Sequence, residues 1–432
     1  MSNAFVGDPA TTTPSRLVLP FYAYAALSFL AAALLLVTMT AAFGTHYFQP
    51  HTLALTHILA LGWGTMIILG ASHQLVPVII EGVLYSERLA KASFYLAAVG
   101  IPLLAYGFYT FHMGWPAKWG GRLVILSVVC YLINLVRSMR QSKSKNIQAY
   151  FVLTATCWLL LTTLLGLVLV YNFTFPLLHA DSLHYLPLHA HAGIIGWFLL
   201  LVIGVGSRLI PMFLISKYTN TVLLRWIFVL INGGLLLFYL IFLFYPVKEW
   251  FLVPTVAVLA AVMLFVYYCF RSYQLRLRRQ VDEPMKISLL SVLMLALPFF
   301  FLMWIIGLLL FADQAPSSIV LAYGFVIFFG WLTAIILGMT FKTLPFIVWN
   351  KNYYQLAGKM KTPNPKDLFS TPVFKVMGLA YLAGFLLFTT GILVQWQWLL
   401  LPGAVLLLLT AVLYNWNVLL IWMHQPTAPA AL

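Results

Sequence analysis

Long apolar runs fill this 432-residue chain, separated by short clusters of charge, proline and glycine. Twelve runs can be drawn, at about 18–43, 51–80, 92–112, 121–137, 149–174, 187–215, 223–245, 250–270, 287–312, 317–348, 373–394 and 396–423. A helix rises about 1.5 Å per residue, so roughly 20 apolar residues cross the 30 Å hydrocarbon core of a bilayer. No segments of about ten residues alternate apolar and polar positions as barrel strands do. The pattern predicts an all-α membrane protein with twelve transmembrane helices.

The punctuation repeats. Gly62-Trp63, Gly196-Trp197 and Gly330-Trp331 are spaced 134 residues apart, as are Gly70, Gly204 and Gly338, and Pro77, Pro211 and Pro345. A fixed period marks a repeated structural unit. Four spans fall in each period, which predicts three pseudo-repeats of four helices: repeat 1 at about 18–150, repeat 2 at about 151–284 and repeat 3 at about 285–424. Together they form one integral membrane domain over 1–432. The glycines read as close-packing positions, and each proline as a kink or helix end.

Composition agrees. Hydrophobic residues make up 63% and charged residues 8%, against about a quarter charged in a soluble domain. The net charge of +15 changes the picture only through its distribution. Lys118, Arg122 and Lys248 fall in one set of alternate loops, and the other 21 of the 24 basic residues fall in the opposite set. The positive-inside rule then places both termini and the basic loops in the cytoplasm, against anionic lipid. The charge is a topology signal, and nucleic acid is not an expected partner. Residues 1–16 lack the pattern of a removable signal peptide. Cys130, Cys157 and Cys269 lie in apolar runs with no Cys-x-x-Cys, which argues against covalent c-type haem, a zinc ribbon or a disulfide framework.

The apolar runs hold almost no Asp or Glu, whereas ion-coupled machines normally carry membrane carboxylates. Histidine is the residue that needs explaining. Eight of the ten fall at or near the outer face: His46, His51, His57, His112, His179, His184, His189 and His191. His46, His112 and His424 read as ordinary loop histidines, and His73 as a structural residue near the cytoplasmic side. His57, His189 and His191 sit within apolar helices, where an imidazole must hydrogen-bond or coordinate something. His189 and His191 project about 200° apart on their helix and so serve different neighbours. His57 and His191 occupy one repeat position, with Phe325 in the third copy. Two imidazoles at one depth suit a bis-histidine b-type haem lying between them. Hydrogen bonding to backbone or water is the alternative. A copper site drawing on His189 with His51, His184 or His112 is a further reading, since imidazole suits copper.

The twelve spans in three sets, with His189-x-His191-x4-Gly196 and Pro211 20 residues beyond His191, resemble subunit I of the haem–copper oxidase superfamily. The likeness is to the nitric oxide reductase branch, to short oxidase-subunit-I-like proteins and to NnrS-like haem–copper proteins. Carried over, it implies His57 and His191 as axial ligands of a low-spin haem b. His189 would be the catalytic histidine, facing a second haem or copper. It implies a multi-pass protein of the bacterial inner membrane that takes electrons from quinol or a periplasmic cytochrome, with partner subunits. Its activity would be electron transfer, or binding or reduction of nitric oxide or oxygen; the scarcity of carboxylates in the apolar runs, separately, leads to the expectation that such chemistry draws protons from the periplasm and does not pump. This chain departs from the family in carrying its His-x-His in the sixth span. The tenth span has Tyr323 and Phe325 instead, and the seventh lacks the family's histidine pair. A transporter, or an assembly or stress-response protein on the same scaffold, is the alternative function.

Overall fold

The computed structural model describes residues 13–142, 146–357, 359 and 361–426, so the chain ends, and Lys143 and Lys145 of one basic loop, lie outside the described residues. Among the described residues twelve helices are long and apolar enough to cross a membrane: α1 (Ser15–Thr38), α2 (Pro50–Ile79), α3 (Glu87–Tyr109), α4 (Trp115–Arg140), α5 (Ile147–Asn172), α6 (Ser182–Leu214), α7 (Thr221–Phe244), α8 (Lys248–Gln274), α9 (Glu283–Phe311), α10 (Ser317–Leu356), α11 (Thr371–Val394) and α12 (Gln397–Trp422). The protein is an all-α, twelve-span membrane protein.

Local chemistry sets the ends. A side-chain oxygen accepts from an otherwise unpaired backbone N–H at the start of α3 (Ser86), α5 (Asn146), α6 (Asp181), α7 (Asn220), α9 (Asp282) and α11 (Ser370). Pro50, Pro116, Pro284 and Pro372 occupy first turns, where a missing N–H costs nothing. Several ends differ from the apolar runs: α3, α4 and α6 begin earlier, at Glu87, Trp115 and Ser182, and two C-terminal ends differ for visible reasons. The α1 helix stops at Thr38, and Thr40–Gly44 forms a separate tight turn, with the Thr38 hydroxyl donating back to the Leu35 carbonyl at 2.8 Å. The α10 helix continues past residue 348 because its polar extension is tied down. Trp349 Nε1 donates to the Pro363 carbonyl at 2.6 Å and Asn352 to the His424 carbonyl at 2.8 Å.

Three helices form the interior. In α2, α6 and α10 the most apolar stretch is 67%, 72% and 83% buried, against 28–50% in the other nine. These are the second helices of the three repeats, so the repeat places one wall of the core in each copy. Glycine lets the first helix of each copy close on its second. A methyl group at Gly70 would sit 2.6 Å from Phe21 of α1, and methyls at Gly204 and Gly338 would collide with Phe151 of α5 and Ser288 of α9.

The inner helices are also cross-tied. Trp197 Nε1 donates to Thr65 Oγ1 at 3.0 Å and Trp63 Nε1 to Thr333 Oγ1 at 3.2 Å. These are one contact made twice: the repeat's tryptophan reaches the hydroxyl two positions beyond its own equivalent in a neighbouring copy. The third instance is broken, because Leu199 stands where Trp331 would need a threonine.

Candidate histidine site between the inner helices

Each inner helix changes its winding at one repeat position. The α2 helix is α-helical through His57 and widens to π-helical turns over Ile58–Thr65. The α6 helix does so after His191, over Ala192–Leu199, and α10 after Phe325, over Val326–Leu332. Runs of π-helix are rare and concentrate at functional sites. Here they begin at the histidine position of each copy.

The ring nitrogens are set by the backbone. The Nδ1 of His57 lies 2.8 Å from the Leu53 carbonyl, and that of His191 2.8 Å from the Pro187 carbonyl. Leu53 and Pro187 are repeat equivalents, so one local bond is made twice. The Nδ1 of His189 lies 2.9 Å from the Thr162 carbonyl on α5. A carbonyl oxygen can only accept, so each Nδ1 carries the proton. In the neutral ring each Nε2 is then left with its lone pair, the form in which histidine binds a metal through one nitrogen and is held by the other.

The ring that faces His57 is His189. Their centroids lie 6.1 Å apart with planes inclined by 18°. Phe108 of α3 closes on His57 at 4.5 Å. On the other side, α5 offers Gly166 beneath the His189 ring: a methyl there would lie 2.8 Å from Cε1. A metal held between two Nε2 atoms at about 2 Å each would set the ring centroids about 6 Å apart. Neutral imidazoles suit iron or copper, the centroid separation matches that spacing, and the backbone carbonyls fix both tautomers.

His191 looks the other way. It lies 5.0 Å from Phe238 of α7 and 6.5 Å from Tyr323 of α10, ring to ring. The expected pairing of His57 with His191 is therefore not the one the structure brings together. The arrangement follows a rule: the residue at the position of His57 in one copy faces the residue at the position of His189 in the next. It gives His57 against His189, then His191 against Tyr323. In the third copy Phe325 stacks on Phe388 and Phe385 of α11 at 4.6 and 6.0 Å, an apolar filling.

The remaining histidines are dispersed. His51 meets Tyr109 edge-on at 4.8 Å, and His184 is exposed beside Tyr185 and Phe242. Neither joins His189, so these expected copper ligands are not assembled. Among the described residues no three His, Cys, Asp or Glu side chains group to hold a metal ion. Such a group is not required by haem, whose ring supplies four nitrogens and which needs only one or two protein ligands. His46 accepts from the Phe48 N–H at 3.1 Å, and the Nε2 of His424 lies 2.7 Å from the Tyr353 hydroxyl. His73 is buried between Phe21 and Tyr131, its Nδ1 2.6 Å from the Leu69 carbonyl. Sequence reasoning missed the π-helical turns and the role of Gly166. The Gly-Trp pair inside each π segment was a visible marker, but nothing in it specifies winding.

The fold and this site define a multi-pass helical membrane protein with a bis-imidazole pair between its inner helices. No known protein family's sequence pattern matches the chain, and no curated protein matches it.

Proposed function

We infer that this chain is a haem-b-binding redox protein of the bacterial inner membrane, similar in plan to subunit I of the haem–copper oxidases, with its termini in the cytoplasm. One observation carries the reading: His57 and His189 face each other across the α2–α6 interface at 6.1 Å with nearly parallel planes and with both Nδ1 protons committed to backbone carbonyls. His57 and His189 would hold the haem iron, Phe108 would bound its edge and Gly166 would leave room for the His189 ring. When bound, haem supplies one-electron redox chemistry and, where iron keeps an open position, a site for a diatomic gas.

The residues divide the work. Two backbone-fixed imidazoles at the first pair would both be given to the iron, and a haem held so would serve electron transfer. His191 has a phenol opposite instead of an imidazole, so a second haem or a copper ion there would have one imidazole and the Tyr323 hydroxyl nearby. Binding or reduction of nitric oxide or oxygen belongs at that second place. Among the described residues no carboxylate lies midway along a span, so any protons used would enter from the outer face, without pumping. Quinol or a periplasmic cytochrome would supply electrons. The deciding experiment is an oxidised and dithionite-reduced optical spectrum of the purified protein, with iron and copper analysis. Split low-spin b-type bands with at least one haem per chain are expected. Colourless protein with no bound iron, expressed with haem available, overturns the reading and leaves the scaffold to transport or assembly.

A further inference from the structure

A cavity of about 110 Å³ lies between the inner helices, on the cytoplasmic side of the histidines. Its walls are repeat equivalents: Ile67, Leu201 and Ile335 form one layer, and Ala71, Val205 and Met339 another. Tyr22 of α1, Phe265 of α8 and Ser291, Val292 and Leu295 of α9 complete the wall. Ile67 is ten residues beyond His57 on α2, past the π-helical segment.

The cavity wall is almost wholly apolar. Hydroxyl groups at its wall are already engaged. Tyr22 and Thr343 bond to each other at 2.9 Å, Tyr131 donates to Ser72 at 2.8 Å and Tyr414 to Thr340 at 3.1 Å. Ser291 donates to the Ser288 carbonyl at 2.7 Å. No lining residue is among the buried polar groups left without a partner. Water enters a cavity for two to four polar partners, whereas apolar cavities of order 150 Å³ remain dry and take up benzene or xenon. The remaining polar feature is the indole of Trp331, which lines the cavity and whose quasi-equivalent acceptor position is occupied by Leu199. Small residues create the space. A methyl group at Gly206 would meet Phe265 at 3.4 Å and Ile210 at 3.6 Å, ordinary contacts, so a side chain fits there.

We propose that this axial cavity is a binding site for a small, uncharged apolar molecule of a few atoms, of the class of dioxygen, nitric oxide and xenon. The inference stands whether or not the protein holds haem, because it uses none of the histidines. Xenon is the probe. Crystals of the full chain pressurised with xenon should show one strong anomalous peak between Ile67, Leu201 and Ile335. Gly206→Leu and, separately, Ala71→Leu should each reduce that peak at least tenfold, while Gly233→Leu, which adds bulk where no atom lies within 4 Å, should leave it intact. Either filling variant suffices if the other fails to fold. Absence of xenon from the wild-type cavity overturns the proposal. So does continuous acyl-chain density in it, or a cluster of ordered water.

Discussion

Gly166→Val is the sharpest perturbation of the histidine pair that leaves both histidines in place. The first atom added at Gly166 would stand 2.8 Å from His189 Cε1 and 3.2 Å from Nδ1. Non-bonded carbons rest at about 3.5–4.0 Å, so the ring must retreat by about 1 Å. It cannot retreat and keep its bond, because the Thr162 carbonyl that holds Nδ1 at 2.9 Å belongs to the same helix, one turn earlier. Losing that bond costs about 1 kcal/mol, too little to unfold a twelve-helix bundle. The same displacement is larger than the roughly 0.5 Å tolerance of a metal-holding constellation. The substitution should therefore spare the fold and disable the site. The assay is haem content and the reduced-minus-oxidised spectrum, beside far-ultraviolet circular dichroism and gel filtration. Gly166→Val is expected to lose most of the low-spin bands with helicity and elution unchanged. Gly166→Ala should lose fewer, and Gly233→Val none. A full low-spin spectrum in folded Gly166→Val would refute the placement of the site.

Other consequences follow from the same geometry. Thr65→Val removes the acceptor of the buried Trp197 N–H; membrane hydrogen bonds are worth about 0.6–1.7 kcal/mol, so the melting temperature in detergent should fall by a few degrees, and an unchanged value would contradict the cross-tie. Burial acts to raise the Asp282 carboxyl, but the Lys342 ammonium at 2.6 Å and Arg278 at 3.1 Å outweigh it and hold the group below its ordinary value. A depressed carboxyl stabilises above the unfolded value near about 3.9 and loses that contribution as pH falls through the folded one. Asp282→Asn should thus lower thermal stability at pH 7 and flatten its decline between pH 5 and 3; an unaltered pH profile counts against the cluster. For topology, a cysteine at His179 should react with an impermeant reagent from outside and one at Thr219 should not, after Cys130, Cys157 and Cys269 are replaced; the opposite pattern reverses the orientation. His179 is exposed, whereas Ser182 in the same loop is buried and would be a poor probe.

The twelve spans were legible because hydrophobic length alone decides a transmembrane helix. The repeat was legible because Gly70, Gly204 and Gly338 have the same task in each copy, as close-approach points for the preceding helix. The histidine pairing was not. Equal repeat position gives His57 and His191 the same kind of place, but residues related by rotation from copy to copy point in the same sense around the axis and do not face each other. His57 therefore meets the residue two positions earlier in the next copy's frame, His189, and His191 meets Tyr323. The order in which helices follow one another around the axis selects the partner, and a period in the sequence contains no such sense. The 200° between His189 and His191 did correctly separate their neighbours. The π-helical turns coincide with the Gly-Trp pairs, but a Gly-Trp pair does not by itself specify winding. The expected copper group failed for another reason. His51 and His184 share the outer face with His189, but a shared face does not make side chains converge.

The central claim is a bis-imidazole iron between α2 and α6, and low-temperature electron paramagnetic resonance of the oxidised protein tests it most directly. The account predicts a rhombic low-spin ferric signal, since the two imidazole planes are only 18° apart. That signal should vanish or turn high-spin in both His57→Ala and His189→Ala, and persist in His191→Ala. A low-spin signal that survives His189→Ala and is lost in His191→Ala would contradict the account and restore the pairing of His57 with His191.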